Sequence, residues 1–243
     1  MPTPIQIRTT DGVADAHVIA PDGGRPAPGI LLYADAFGIR PALLAMARNL
    51  ANHGYWVLLP NLFWRMGSFP PFDPKTVWQT PKEAERLRTL IQATDEESLL
   101  RDTKAYLAFA SHEGRVRGRK IGVLGYCLGG GLALRAACEF PDSIAAVASF
   151  HGGRFQVDPG APAILASKLR ASVYLGVAEK DARHDATVTR NLLAGLENAR
   201  VPHSVEVYPG TEHGFAMPDS AVFDAKAHET HWARIFSLFG SAL

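Results

Sequence analysis

The sequence predicts an α/β fold with a mainly parallel central sheet, helices on both faces and a β-hairpin at the N-terminus. Three observations carry this. Short apolar runs ("GILLYA", "YWVLLP", "KIGVLG", "IAAVASF", "SVYLGVA") recur along the chain. Stretches with helical spacing separate most of them. The runs are apolar at nearly every position, as strands covered on both sides must be.

Taken in order, "IQIRTT" and "ADAHVIA" alternate apolar and polar residues around Asp11-Gly12, which reads as the hairpin. "GILLYA" is the first buried strand. "PALLAMARNLANHG" is amphipathic, with Pro41 suited to a first helical turn and Gly54 to a C-terminal cap. "YWVLLP" follows as a strand. Residues 61–81, "NLFWRMGSFPPFDPKTVWQTP", then break the rhythm with prolines, aromatics and no clean period. Helical spacing resumes in "EESLLRDTKAYLAFASH". The rest reads as strand "KIGVLG", helix "LGGGLALRAACEF", strands "IAAVASF" and "SVYLGVA", helix "ATVTRNLLAGLENAR", strand "SVEVYPG" and a last helix within "AVFDAKAHETHWARIFSLFG". With no composition shift and no internal repeat, residues 1–243 are expected to form one domain.

The formal net charge of +1 gives no reason to expect nucleic acid or an anionic membrane surface as partner. The two cysteines, Cys127 and Cys138, are eleven residues apart. On one helix that is roughly 16 Å, too far for a disulfide, whose Cα atoms lie within about 7 Å. Reduced thiols, no secretory leader and no bilayer-length apolar run make a cytoplasmic protein the expectation.

The chemistry centres on Gly125-Tyr126-Cys127-Leu128-Gly129, which has the form Gly-x-nucleophile-x-Gly between a strand and a helix. A sharp strand-to-helix turn strains its middle residue and leaves no room two residues to either side, so glycines belong there. The tip side chain stands above the sheet at a helix N-terminus, where free N–H groups and the helix dipole favour a thiolate. The N–H of Leu128 would donate to an oxyanion. The plainer alternative is a buried cysteine in a tight strand–helix crossing. A dinucleotide-binding loop is less favoured still, because the spacing is not Gly-x-Gly-x-x-Gly and there is no Gly-Lys-Ser/Thr for a P-loop.

A thiol nucleophile needs a base and a group that orients the base. In hydrolases built on such a turn these follow in the order acid, then histidine, each on a loop after a strand. "SVYLGVAEKD" runs into a loop with Glu179 and Asp181, and "SVEVYPGTEHGF" into one with His213. Asp181 is the expected acid, since Glu179 sits close to the strand end and Asp185 reads as a helix cap. His228 and His231, three residues apart with no third ligand evident, read as a solvated helix face, so no metal is expected.

The elbow followed by Asp and His-Gly-Phe resembles the dienelactone hydrolase family, a cysteine-nucleophile branch of the α/β hydrolases. The likeness runs through "ADAFGIRPALLAMARNLANHGYWVLLPNLF", "GYCLGGG", "VAEKD" and "EHGFAMP". It implies an α/β-hydrolase fold and a triad of Cys127, Asp181 and His213. It also implies a second oxyanion N–H, that of Ala36, in the loop after "GILLYA". The family has a glutamate at the place of Asp35, which contacts the thiol and takes its proton. Asp35 keeps the carboxylate on a shorter arm, and ordering its own loop through backbone N–H groups is the other reading.

The family also binds a substrate carboxylate with arginines, one of them four residues after the histidine. Met217 stands there, and the second arginine would be sought among Arg65, Lys82, Arg86 and Arg88. Phe37, Trp64, Tyr126, His151, Phe215 and Met217 are the expected substrate-binding residues, with Phe63, Phe69, Phe72 and Trp78 as further candidates and plain core as the alternative for about half of these. The expected activity is hydrolysis of small esters or lactones through an acyl-cysteine, without metal or organic cofactor, by a monomer or small homo-oligomer. An acyltransferase, a broad carboxylesterase, or a non-catalytic ligand-binding or redox-sensing relative are the alternatives.

Overall fold

In the computed structural model, described here for residues 2–152, 166–181 and 186–243, eight strands form one sheet in the order β1-β2-β4-β3-β5-β6-β7-β8. These are β1 (Thr3–Arg8), β2 (Val13–Ile19), β3 (Ala27–Tyr33), β4 (Trp56–Pro60), β5 (Val116–Tyr126), β6 (Ile144–Phe150), β7 (Ser172–Ala178) and β8 (His203–Tyr208). The helices are α1 (Pro41–Asn52), α2 (Pro81–Ala93), α3 (Glu96–His112), α4 (Leu128–Glu139), α5 (Ala186–Asn198) and α6 (Ala225–Ala242). β2 pairs antiparallel with both β1 and β4. From β4 to β8 every pairing is parallel. The predicted hairpin is therefore stitched onto a parallel sheet.

Local chemistry accounts for the elements. β4 is buried at all five residues and β3 at all but one, so each must be covered on both faces. α1 starts with Pro41, whose missing N–H costs nothing in a first turn, and buries Leu43, Met46, Ala47, Leu50 and Ala51 at helical spacing. α3 is capped by Asp95, whose carboxylate accepts from the Glu97 and Ser98 N–H groups. α4 is buried on nearly every side, which its run of glycine, alanine and leucine permits. Residues 61–81 contain two short 3₁₀ turns, at Trp64–Met66 and Val77–Gln79, before α2 begins at Pro81. No helix among the described residues is long and apolar enough to cross a membrane.

Register decides where the loops gather. Tyr33 lies opposite Gly125, Tyr126 opposite Phe150, Phe150 opposite Gly176, and Ala178 opposite Tyr208. The loops after β3, β5, β6, β7 and β8 thus leave the sheet at one edge. Asp35, Cys127, His151, Asp181 and His213 all ride on them.

Candidate active site

Cys127 follows β5 directly and is the N-cap of α4, with φ +52° and ψ −116°. That left-handed backbone is costly for a residue with a side chain. Surrounding contacts enforce it. The Cys127 N–H donates to the Phe150 carbonyl at 3.1 Å, and its own carbonyl accepts from Gly130 N–H at 3.0 Å. A Cβ on Gly125 would run into the Gly129 carbonyl, and one on Gly129 into the Ala34 and Tyr33 carbonyls. Both glycines flanking the turn are therefore required by close backbone approach, as the spacing predicts.

The same close approach brings the first turn of α4 against the end of β3. Leu128 opens the helix, so its N–H has no acceptor within the helix. Across from it, the loop after β3 makes a tight turn in which Gly38 N–H donates to the Asp35 carbonyl at 3.2 Å and Phe37 N–H to the Asp35 carboxylate at 3.0 Å. Neither bond uses the Ala36 N–H.

His213 Nδ1 and Asp181 Oδ2 are 2.6 Å apart, with the carboxylate nearly buried. The β7 and β8 loops are registered to bring them together: Lys180 N–H donates to the Thr211 carbonyl and Gly210 N–H to the Glu179 carboxylate. Glu179 is thus occupied with the turn, which leaves Asp181 as the acid that meets the histidine. Asp185, the other acid considered, lies outside the described residues. Burial lowers the His213 pKa, but a Cys127 thiolate beside it and the Asp181 carboxylate outweigh burial and hold the imidazolium up to about 9. His213 Nε2 is buried, and Cys127 raises the imidazole both by its charge and through a side-chain hydrogen bond.

The structure brings Asp35 and His151 to the same edge, and each has specific neighbours. Asp35 is 2% exposed and takes a bidentate pair from Arg40, Nη1 to Oδ1 at 2.7 Å and Nη2 to Oδ2 at 2.8 Å. Burial pushes its carboxyl up, while Arg40 and the Phe37 N–H pull it down. His151, with φ +37°, stands edge-on to His213 and Phe215, ring centroids 5.1 and 5.5 Å away.

Several expected pocket residues sit elsewhere. Tyr126, Phe215 and Met217 are buried, Tyr126 stacked on Phe150 and Phe215 edge-on to His151. Trp64 lies over Gly12 and donates its indole N–H to Asp102 at 2.8 Å, an anchor between the hairpin turn and α3. Phe63 and Phe72 are core, whereas Phe37 is half-buried with its ring edge-on to Trp78. Arg65 is committed to Asp102 and Asp11, and Arg86 to Glu83.

Two groups went unanticipated. Arg40 reads in sequence as a residue before a helix, yet it is buried between Asp35 and Asp219. His231 was read as solvated, and the structure corrects this: it is fully buried, and its Nε2 accepts from the Tyr126 hydroxyl at 2.7 Å while Nδ1 donates to the His228 carbonyl at 2.9 Å. His228 Nδ1 meets the Ala216 carbonyl at 2.8 Å, tying α6 to the loop of His213. The missed signal was the sequence "HETHWARIFSLF", in which the histidines share a stripe with Ile235 and Phe239 at helical spacing.

Known proteins resemble this chain both in sequence and in fold. A Synechocystis sp. protein provisionally named carboxymethylenebutenolidase is 26% identical over 220 residues, covering 89% of this chain and 87% of that one. The carboxymethylenebutenolidase of Pseudomonas putida is 30% identical over 135 residues, 56% of this chain and 55% of its own. In fold, the crystal structure of a provisionally assigned dienelactone hydrolase from Klebsiella pneumoniae superposes with a TM-score of 0.83 at 20% identity, covering 99% of this chain and 98% of that one. The family model described as dienelactone hydrolase matches residues 14–243. On that match, the chain belongs to the dienelactone hydrolase family and is a hydrolase of that type.

Proposed function

We propose that the protein hydrolyses small esters or lactones through an acyl-cysteine intermediate, with Cys127 as nucleophile, His213 as base and acid, and Asp181 orienting it. The observation that carries this reading is the left-handed Cys127 at the mouth of α4, coupled to a histidine whose other nitrogen is 2.6 Å from a nearly buried carboxylate.

The steps follow from the groups present. The Cys127 sulfur attacks the carbonyl carbon, and the oxygen, now an anion, takes the N–H groups of Leu128 and Ala36. One such donor is worth on the order of 3 kcal/mol in comparable sites. His213 Nε2 gives its proton to the departing alkoxide as the thioester forms. Water then enters, loses a proton to the same nitrogen and attacks the thioester; the carboxylic acid leaves and the thiolate returns. Asp181 keeps the Nδ1 proton in place throughout, so Nε2 is always the working nitrogen. With both oxygens held by Arg40, Asp35 is assigned to ordering the oxyanion loop.

Hydrolysis of p-nitrophenyl acetate and of a simple lactone by wild type, Cys127→Ala and His213→Ala, with intact mass recorded, tests the reading. Steady turnover lost in both variants is the expected result. Activity surviving Cys127→Ala removes the nucleophile from the argument. A lasting acetyl adduct without turnover points instead to an acyltransferase or a sensor.

A further inference from the structure

We propose that Arg40 is a positioning residue that clamps the oxyanion loop to the loop carrying His213, so that donor and base keep their spacing across the substrate carbonyl. This rests on the hydrolase reading above and adds a residue to it.

Arg40 is 4% exposed. Its guanidinium holds both oxygens of Asp35 at 2.7 and 2.8 Å and both oxygens of Asp219, through Nε at 2.6 Å and Nη2 at 3.0 Å. A fifth bond reaches the Gly38 carbonyl at 3.2 Å, and the guanidinium carbon lies 5.4 Å from the centre of the Phe37 ring. One planar fork thus bridges two carboxylates that are far apart in the chain. A lysine ammonium, a point charge, could not reproduce two bidentate pairs.

Each carboxylate reaches into the machinery through backbone. Asp35 fixes the turn that presents Ala36, since its carboxylate also takes the Phe37 N–H and its carbonyl the Gly38 N–H. Asp219 lies at the end of a chain of turns that starts beside His213: Phe215 N–H donates to the Glu212 carbonyl, Met217 N–H to Gly214 and Ser220 N–H to Met217. The histidine loop is also tied to the Asp181 loop, so loss of the clamp frees the oxyanion turn to move relative to a triad that stays together. The two halves meet on one carbonyl group, where misplacement by about 1 Å costs on the order of 100-fold in rate.

The test compares wild type, Arg40→Lys and Asp219→Asn, each checked for folding by thermal melting. p-Nitrophenyl acetate kinetics are measured together with the pH dependence of Cys127 alkylation by iodoacetamide. Arg40→Lys is expected to lower kcat by about 10- to 100-fold with KM within roughly threefold, because the lost quantity is geometry in the transition state. The alkylation profile should superimpose on that of wild type, since the thiol, His213 and Asp181 are untouched. Asp219→Asn should move kcat the same way by less, and it carries the test if Arg40→Lys does not fold. Wild-type kcat in folded variants would make the cluster merely structural, and a shifted alkylation profile would mean it acts on the thiol. Either result overturns the clamp while leaving Cys127-dependent hydrolysis standing; activity independent of Cys127 would instead sink the hydrolase reading itself.

Discussion

The elbow after β5 and the loop after β3 stand side by side at one edge of the sheet, and they are held by opposite means. The elbow is fixed by side chains that are missing: Gly125 and Gly129 let backbone touch backbone, and Cys127 is forced into a left-handed turn. The β3–α1 loop is fixed by side chains that are present, an arginine between two carboxylates. Steric fixation tolerates no addition, whereas ionic fixation depends on the number and geometry of charges. That difference sets what should break each.

The largest effect is expected at the elbow. Gly129→Ala puts a methyl group into the Ala34 and Tyr33 carbonyls, and backbone on both sides must part to admit it. We expect loss of more than about 4 kcal/mol, or no soluble protein at all. Gly114→Ala, where a Cβ would meet nothing within 4 Å, should change stability by less than about 0.5 kcal/mol. Urea unfolding of the pair measures the contrast. A well-folded Gly129→Ala protein would show that the elbow has slack.

Next comes the ion pair of His213 and Asp181. The His213 pKa, held up to about 9 in the folded protein, lies above its ordinary 6.5. A group raised in this way contributes stability that is complete below the unfolded value and is lost as pH rises through the folded one. Wild type should therefore lose stability between pH 6.5 and 9 that His213→Gln does not lose, by less than the whole shift would give, because a Cys127 thiolate that holds the imidazolium has itself given up a proton that the unfolded thiol keeps. Melting curves across that window decide it; parallel losses in the two proteins would mean that His213 is not so perturbed. The steric elbow should show no comparable pH dependence.

A smaller effect is expected beneath the elbow, where Tyr126 meets His231. Tyr126→Phe removes the hydroxyl and leaves His231 Nε2 buried without its donor, at a cost of about 1–3 kcal/mol. Burial depresses the His231 pKa to about 3. Its contribution is thus present above 6.5 and lost as pH falls toward 3, the reverse of His213. Unfolding measured at pH 7 and pH 5 should show wild type weakening toward acid, with His231→Gln weakening less.

These contrasts also explain what could be read in advance. "GYCLGGG" announces its geometry because glycine spacing is a local demand of one turn. The order Asp181 then His213 could be proposed in advance because each follows a stretch that reads as a strand. Five of the buried runs became strands within one or two residues at most of their edges, apart from the early start of β5 at Val116. Arg40 gave no such sign: its partners are Asp35, five residues away, and Asp219, and only folding brings Asp219 beside it. The contact between His231 and Tyr126 was missed for the same reason, since a polar side chain buried against a distant hydroxyl looks in sequence like one on a wet helix face. Trp64 could be seen as an aromatic in an irregular segment, but its N–H partner, Asp102, sits on α3.

The smallest expected effect lies where residues 61–81 reach the clamped loop. Trp78 is 43% exposed, the Phe37 ring stands edge-on to it with centroids 6.5 Å apart, and the Arg88 guanidinium lies 5.8 Å from its ring. Phe37 belongs to the turn that carries Ala36, so on the reading proposed above this aromatic pair would meet the bulk of a substrate. Aromatic contacts of this kind are worth about 0.5–1.5 kcal/mol. Trp78→Ala should therefore lower kcat/KM for a phenyl ester by about twofold to tenfold relative to a methyl ester. Equal losses on both esters would remove Trp78 from substrate contact. They would also mean that the irregular segment reaches the reaction only through the position of Phe37, and hence through the same ionic clamp.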